Sequence, residues 1–225
     1  MSFYAEWDYK TYAPNVLRMK TRIYWGDGTF TQEQGKCVGT FIGENPGGAM
    51  ARQKNSGWDV LVDSRSSSLD GDRTLRFIYD VWQGALKICN IKPATNDYIE
   101  ILNTYYFRCT TSGEMLPCWK NKCRENGGDI YFQGVNSESR FVLLGWGRDM
   151  HESSECKTLL DTIPAEKRII YALTNGEVRS VLKKEYVMER DLFPAQPSWI
   201  LRNKSRNEKY LLKLSAIIAE CYCPL

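Results

Sequence analysis

Short runs of β-branched and aromatic residues that stop at a glycine or an amide recur along this chain, and segments of helical period separate them. CVGTFIG (37–43) reads as a buried strand closed by Gly43. DRTLRFIYDVWQGA (72–85) spaces Leu75, Ile78, Trp82 and Ala85 at helical intervals, with Asp70 or Asp72 as N-cap and Gly84 near its end. LKICNI (86–91) reads as a second strand, and NDYIEILNTYYF (96–107) as a helix capped by Thr95 or Asn96. FVLLGWG (141–147) is a third strand, SSECKTLLDTI (153–163) a short helix and RIIYALTNG (168–176) a fourth strand. RNEKYLLKLSAIIAEC (206–221) closes the pattern as a helix with Leu211, Leu214 and Ile217 or Ile218 on one face.

Strands that alternate with helices imply a parallel sheet covered on both faces. The expected fold is therefore α/β: one domain over residues 1–225, three layers deep (αβα), with a central, mainly parallel four-stranded sheet. Residues 1–36 are expected as an N-terminal extension, in which TRIYWGDGTFTQ (21–32) forms a hairpin about its Gly-Asp-Gly turn. Residues 110–140 lack periodicity and are expected as an insertion or long loop.

Composition narrows the function classes. Charged residues make up 25% and hydrophobic ones 43%, as in an ordinary folded domain. A net charge of +3 is too small to argue for nucleic acid by itself, so a basic patch would have to be local. The run LLKLSAIIAECYC (211–223) contains Lys213 and Glu220 and is too short to span a bilayer. MSFYAEWDYK (1–10) lacks the apolar core of a secretory leader, so a cytoplasmic chain without membrane contact is expected. The eight cysteines are then expected as thiols. The spacing of Cys109, Cys118, Cys123, Cys221 and Cys223 matches no standard ligand signature, so neither a metal nor a cofactor is expected. The single histidine, His151, excludes paired-histidine metal sites and is expected at the surface.

Open α/β sheets bind ligands outside the carboxyl ends of their strands. The first strand is followed by Gly43-Glu44-Asn45-Pro46-Gly47-Gly48, and the second by Asn90 and Lys92-Pro93. The third ends in Gly145-Trp146-Gly147-Arg148. The fourth is followed by Thr174-Asn175-Gly176 and, further on, by Pro194-Ala195-Gln196-Pro197-Ser198-Trp199. Amides, glycines and prolines thus gather at one rim.

These stretches carry a resemblance. GENPGG (43–48) resembles the first motif of the uracil-DNA glycosylase superfamily, in the Gly-x-Asn-Pro-Gly form of its mismatch- and thymine-directed branch. ICNIKP (88–93) looks like that superfamily's second strand, FVLLGWG its third, and QPSWI (196–200) its His-Pro-Ser motif with Gln196 in place of His. The order and spacing of the four agree over residues 20 to 205. The pattern also looks like a bacterial family of unknown function with Asn-Pro after its first strand and Trp-Gly after a later one.

The resemblance implies a monofunctional DNA glycosylase that flips a nucleotide out of double-stranded DNA and hydrolyses its N-glycosidic bond. Asn45 would orient water beneath the sugar, with Glu44 as the neighbouring base. Gln196 would donate to the departing base, and Gly43, Pro46, Gly47, Asn90 and Ser198 would form the base pocket. Trp199, Ile200 and Leu201 would wedge into the duplex, and Arg202, Lys204 and Arg206 would meet phosphates. Gln196 cannot become charged, which points away from uracil and toward a modified or damaged pyrimidine. One form of this expectation is glucosylated hydroxymethylcytosine in phage DNA, removed by a bacterial antiviral enzyme acting as a monomer. Structural readings stand beside each role: Gly-x-Asn-Pro-Gly is also good turn chemistry, Asn90 also suits a strand end, and residues 199–206 also suit a core edge and a solvated basic turn. The alternative function is a non-catalytic module that binds a nucleotide or modified base on the same fold.

Overall fold

The computed structural model describes the chain except residues 1, 27, 48, 54, 63–72, 109–111, 127–131, 149, 152, 189–192 and 224–225. In chain order it forms β1 (Ser2–Asp8), β2 (Leu17–Tyr24), β3 (Cys37–Gly43), β4 (Met50–Ala51), β5 (Gly57–Val62), α1 (Arg73–Ile88), β6 (Tyr98–Asn103) and α2 (Ser112–Glu125). There follow β7 (Phe141–Gly145), α3 (Ser154–Asp161), β8 (Arg168–Ala172), β9 (Val178–Leu182), α4 (Pro197–Ile200) and α5 (Lys204–Tyr222).

The fold is α/β with one large mixed sheet, not a sheet of four strands. Among the described residues nine strands line up as β4-β5-β1-β2-β6-β3-β7-β8-β9. The neighbours β6, β3, β7 and β8 run parallel, while the remaining pairings are antiparallel. β3 is buried along its whole length because both faces of the sheet are covered. Val38 and Phe41 join a core with the apolar faces of α1 and α5, and Ile42 faces a second core with Leu159 and Leu160 of α3.

The helical period of 72–85 is realised as α1, with Leu75, Ile78, Trp82 and Ala85 buried. The expected second strand, LKICNI, is instead the end of that helix. Asn90 takes a left-handed φ of 53°, its N–H reaches Lys87 O (3.2 Å), and Ile91 N–H reaches Leu86 O (3.0 Å). This 6→1 and 5→2 pair of bonds is a Schellman stop, a position where Asn substitutes for Gly. The second parallel strand comes from YIEILN, expected as a helix. All six residues of β6 are buried between β2 and β3, with Ile99 and Ile101 on one face and Leu102 on the other, which a one-faced helix could not achieve.

Residues 1–36 are not an appendage, since β1 and β2 extend the sheet beyond β6. The hairpin expected at 21–32 does not form: β2 pairs with β1 and β6, and the chain after it folds back to stack Phe30 on Tyr24 (4.3 Å between ring centroids). Residues 112–125 of the expected loop are helical, docked through Leu116, Trp119 and Cys123 onto Tyr105, Tyr106 and Phe107. Pro117 inside this helix weakens its periodic signal. No described helix is long and apolar enough to cross a membrane.

Candidate functional site

The parallel strands order as β6-β3-β7-β8, so the chain leaves β3 toward one side for β6 and crosses to the other for β7 and β8. The carboxyl ends on either side of that reversal are where open sheets leave a crevice. Here they are Gly43 and Gly145, partners in register. Both are held without side chains by Phe41, whose ring would lie 2.8 Å from a Cβ at Gly43 and 2.7 Å from one at Gly145.

Glu44 is the first residue past β3 and is 5% exposed. Its main-chain carbonyl accepts from Thr104 Oγ1 (2.6 Å) and Tyr105 N (3.3 Å), which ties the turn to the end of β6. Its carboxylate oxygen Oε2 accepts a hydrogen bond from Gln196 Nε2. The same nitrogen donates to Trp146 O (3.2 Å), and Gln196 Oε1 accepts from Ser198 Oγ (3.1 Å). Since a carboxylate only accepts, the orientation of the Gln196 amide is dictated and its donors point at Glu44 and Trp146. Gln196 therefore positions Glu44, and the expected donation to a departing base is not the role these bonds serve.

The segment carrying Gln196 is clamped across the sheet end. Ala195 N bonds Ala172 O (2.7 Å), and Gly147 N bonds Pro194 O (2.9 Å). Gly147 sits at φ +78°, and a Cβ there would come within 2.7 Å of Gln196. Trp146 donates from Nε1 to His151 Nδ1 (3.3 Å), so His151, expected at the surface, is 2% exposed beneath the rim.

Asn45 is half-buried, and its Oδ1 accepts from Gly47 N (2.7 Å), closing an Asx turn over buried Pro46. The bland reading of the Asn-Pro-Gly turn is thus realised at the carboxamide oxygen. Asn90 does not reach this rim. It ends α1, whose last turn lies against Ala219 near the end of α5 (Cys89 Sγ to Ala219 O, 3.1 Å). Tyr222 of the same region packs under Arg140, just before β7, so this is the amino-terminal end of the parallel strands.

Asn103 stands where Asn90 was expected. It ends β6 beside Gly43, is 2% exposed, and its Oδ1 lies 3.4 Å from the space of a Gly43 Cβ. Its Nδ2 has no hydrogen-bond partner among the described residues. A buried amide nitrogen without a partner is costly, about 1–3 kcal/mol, and marks a place where a ligand or water supplies the acceptor. The signal was legible as an Asn after a β-rich run, hidden by the helical reading of that run.

A cleft of about 390 Å³ opens against Glu44 and is lined by Gly113, Leu116, Pro117, Lys120, Asn121 and Arg124 of α2. Sequence reasoning missed this wall because it assigned α2 to a loop. Burial pushes the Cys156 thiol up to about 12; the Ser153 hydrogen bond opposes this, and the Glu155 and Glu44 carboxylates add to it.

The expected duplex wedge is not assembled. Ile200 is 2% exposed in the core, and Leu201 packs against the same core. Trp199 is held between Tyr210 (6.2 Å) and Arg206, whose guanidinium lies 3.7 Å from its ring centroid. Arg206 also donates to Trp199 O (3.1 Å), so it serves this packing. Arg202 and Lys204 are exposed. Among the described residues no group of three or more His, Cys, Asp or Glu is arranged to hold a metal. Cys109, Asp70 and Asp72 lie outside the described residues.

Fold and site together define an α/β protein with a buried carboxylate at the switch point of a mixed sheet. Compared with family models, curated proteins and solved structures, the chain gives no match.

Proposed function

We propose that this chain is a monofunctional DNA glycosylase, built like the uracil-DNA glycosylase superfamily, that hydrolyses the N-glycosidic bond of a modified pyrimidine. The observation that carries the reading is the pairing, at one switch point, of buried Glu44 held by Gln196 with the buried, unpartnered amide of Asn103. Four adjacent parallel strands with helices on both faces support the glycosylase-like core.

The chemistry needs a base for water and donors for the leaving group. Water adds its oxygen to the anomeric carbon, the carbon–nitrogen bond breaks, and the base departs with the electron pair. Glu44 takes a proton from the water. Asn45 is not that base: a carboxamide is not basic, and its oxygen is engaged by Gly47. It holds the turn that aims Glu44. Asn103 Nδ2 donates to a carbonyl or ring nitrogen of the flipped base, stabilising charge as it develops. Arg202 and Lys204, exposed near this rim, meet the DNA backbone.

The test is a base-release assay on DNA containing uracil, mismatched thymine, hydroxymethylcytosine or glucosylated hydroxymethylcytosine, with unmodified controls. The expected result is alkali-labile abasic sites on one modified DNA and none on the controls. Tight binding of one of these DNAs without abasic sites would overturn the enzyme and leave a modified-base sensor.

A further inference from the structure

α2 presents two different faces. Leu116, Trp119 and Cys123 dock it on the aromatic cluster, while Lys120, Asn121 and Arg124 line the cleft against Glu44. Lys120 and Arg124 are one turn apart, about 6 Å along the axis, so they form one cationic wall. Both are exposed, in contrast to Lys122, which is tied to Glu125 at 2.6 Å on another face. Pro117 also lines the cleft; it has no N–H, so the Gly113 carbonyl one turn earlier lacks its helical donor.

The cleft therefore has a carboxylate at its floor, an uncapped turn at its side and two cations along its wall. Its volume, about 390 Å³, is at the small end of ligand pockets and suits a unit of nucleotide size. A neutral, purely apolar ligand would leave Lys120 and Arg124 unanswered and offer no donor to the carboxylate at the floor. A nucleotide answers them separately: donors of base or sugar at the floor, phosphate at the wall.

We infer that Lys120 and Arg124 bind the DNA phosphates flanking the flipped nucleotide, which makes α2 a backbone clamp over the site. This rests on the reading of the protein as one that acts on DNA. It goes beyond that reading by assigning the clamp to a helix distinct from the basic turn at 202–206.

The test measures the affinity of the full chain for a fluorescein-labelled duplex carrying the modified base over a salt series. Each phosphate contact contributes about 0.9 to the slope of log K against log salt. The Lys120→Gln/Arg124→Gln variant is expected to flatten the slope by about 1.8, and Lys122→Gln to leave it within about 0.4 of wild type. A thermal melt checks that each variant is folded. An unchanged slope in the double variant overturns the clamp, as does wild type that fails to bind the duplex at low salt. Base release is scored on the same samples. Release with an unchanged slope rejects the clamp and keeps the glycosylase. A flattened slope without release on any DNA keeps the clamp and rejects the glycosylase.

Discussion

Glu44 and Glu100 are both buried carboxylates, 5% and 2% exposed, and each accepts a hydrogen bond from a glutamine Nε2, Gln196 or Gln133. Their positions differ. Glu100 lies in the middle of β6, opposite Arg22 on β2 and Thr40 on β3. Burial pushes its carboxyl above the ordinary value, and the Arg22 charge and the Gln133 bond pull it part of the way back. It is enclosed by strands on both sides. Glu44 lies one residue past β3, where the sheet divides, and opens on a cleft. The same local pair is thus enclosed within the sheet and opens on a cleft at its carboxyl edge, and the topology decides which.

Breaking the rim pair is expected to have the larger effect on stability. Gly147→Ala puts a side chain at a left-handed φ and into Gln196. The backbone strain alone costs about 1–2 kcal/mol, and displacing Gln196 also releases Glu44, so thermal stability and base release should fall together. Denaturant unfolding and single-turnover assays of one preparation check this. A variant with lowered stability and unaltered release would show that the Gln196 contact does not matter to the chemistry.

The interior pair predicts a smaller, pH-dependent effect. With its folded pKa raised, Glu100 keeps its proton to higher pH in the fold than in the unfolded chain, where it ionises near 4.5. Its contribution is present below that value and is lost as pH rises through the folded pKa. Glu100→Gln should therefore remove a decline in unfolding free energy that sets in as pH rises above about 4.5, gaining on wild type as pH rises. Equal pH profiles for the two proteins would contradict the shift.

The comparison also marks what the sequence made legible. Glu44, Gln196, Gly145 and Gly147 were found because strands 37–43, 141–147 and 168–176 are short, apolar and closed by glycine or amide, which fixes their carboxyl ends. Asn103 was missed because β6 carries Glu100 at its centre. A charge in an apolar run suggests a half-exposed helix, and only Arg22 and Gln133, distant in sequence, allow it inside a sheet. Asn90 drew the assignment because an Asn after an apolar run looks the same at a strand end and at a helix stop. The antiparallel wing of β1 and β2 was invisible as sheet because its partner strands lie at 57–62 and 98–103. The cleft wall escaped notice because Pro117 blurs the period of α2.

The most direct test of the account is single-turnover base release by Glu44→Gln beside Glu100→Gln, on the DNA that wild type cleaves. The substitutions are chemically identical, replace one carboxyl group each with an amide and keep the side-chain volume. The account predicts a loss of about 10²–10⁴-fold for Glu44→Gln, the range of a removed general base, and release within about threefold of wild type for Glu100→Gln. Equal rates in the two variants would contradict the assignment of the chemistry to the carboxylate at the switch point.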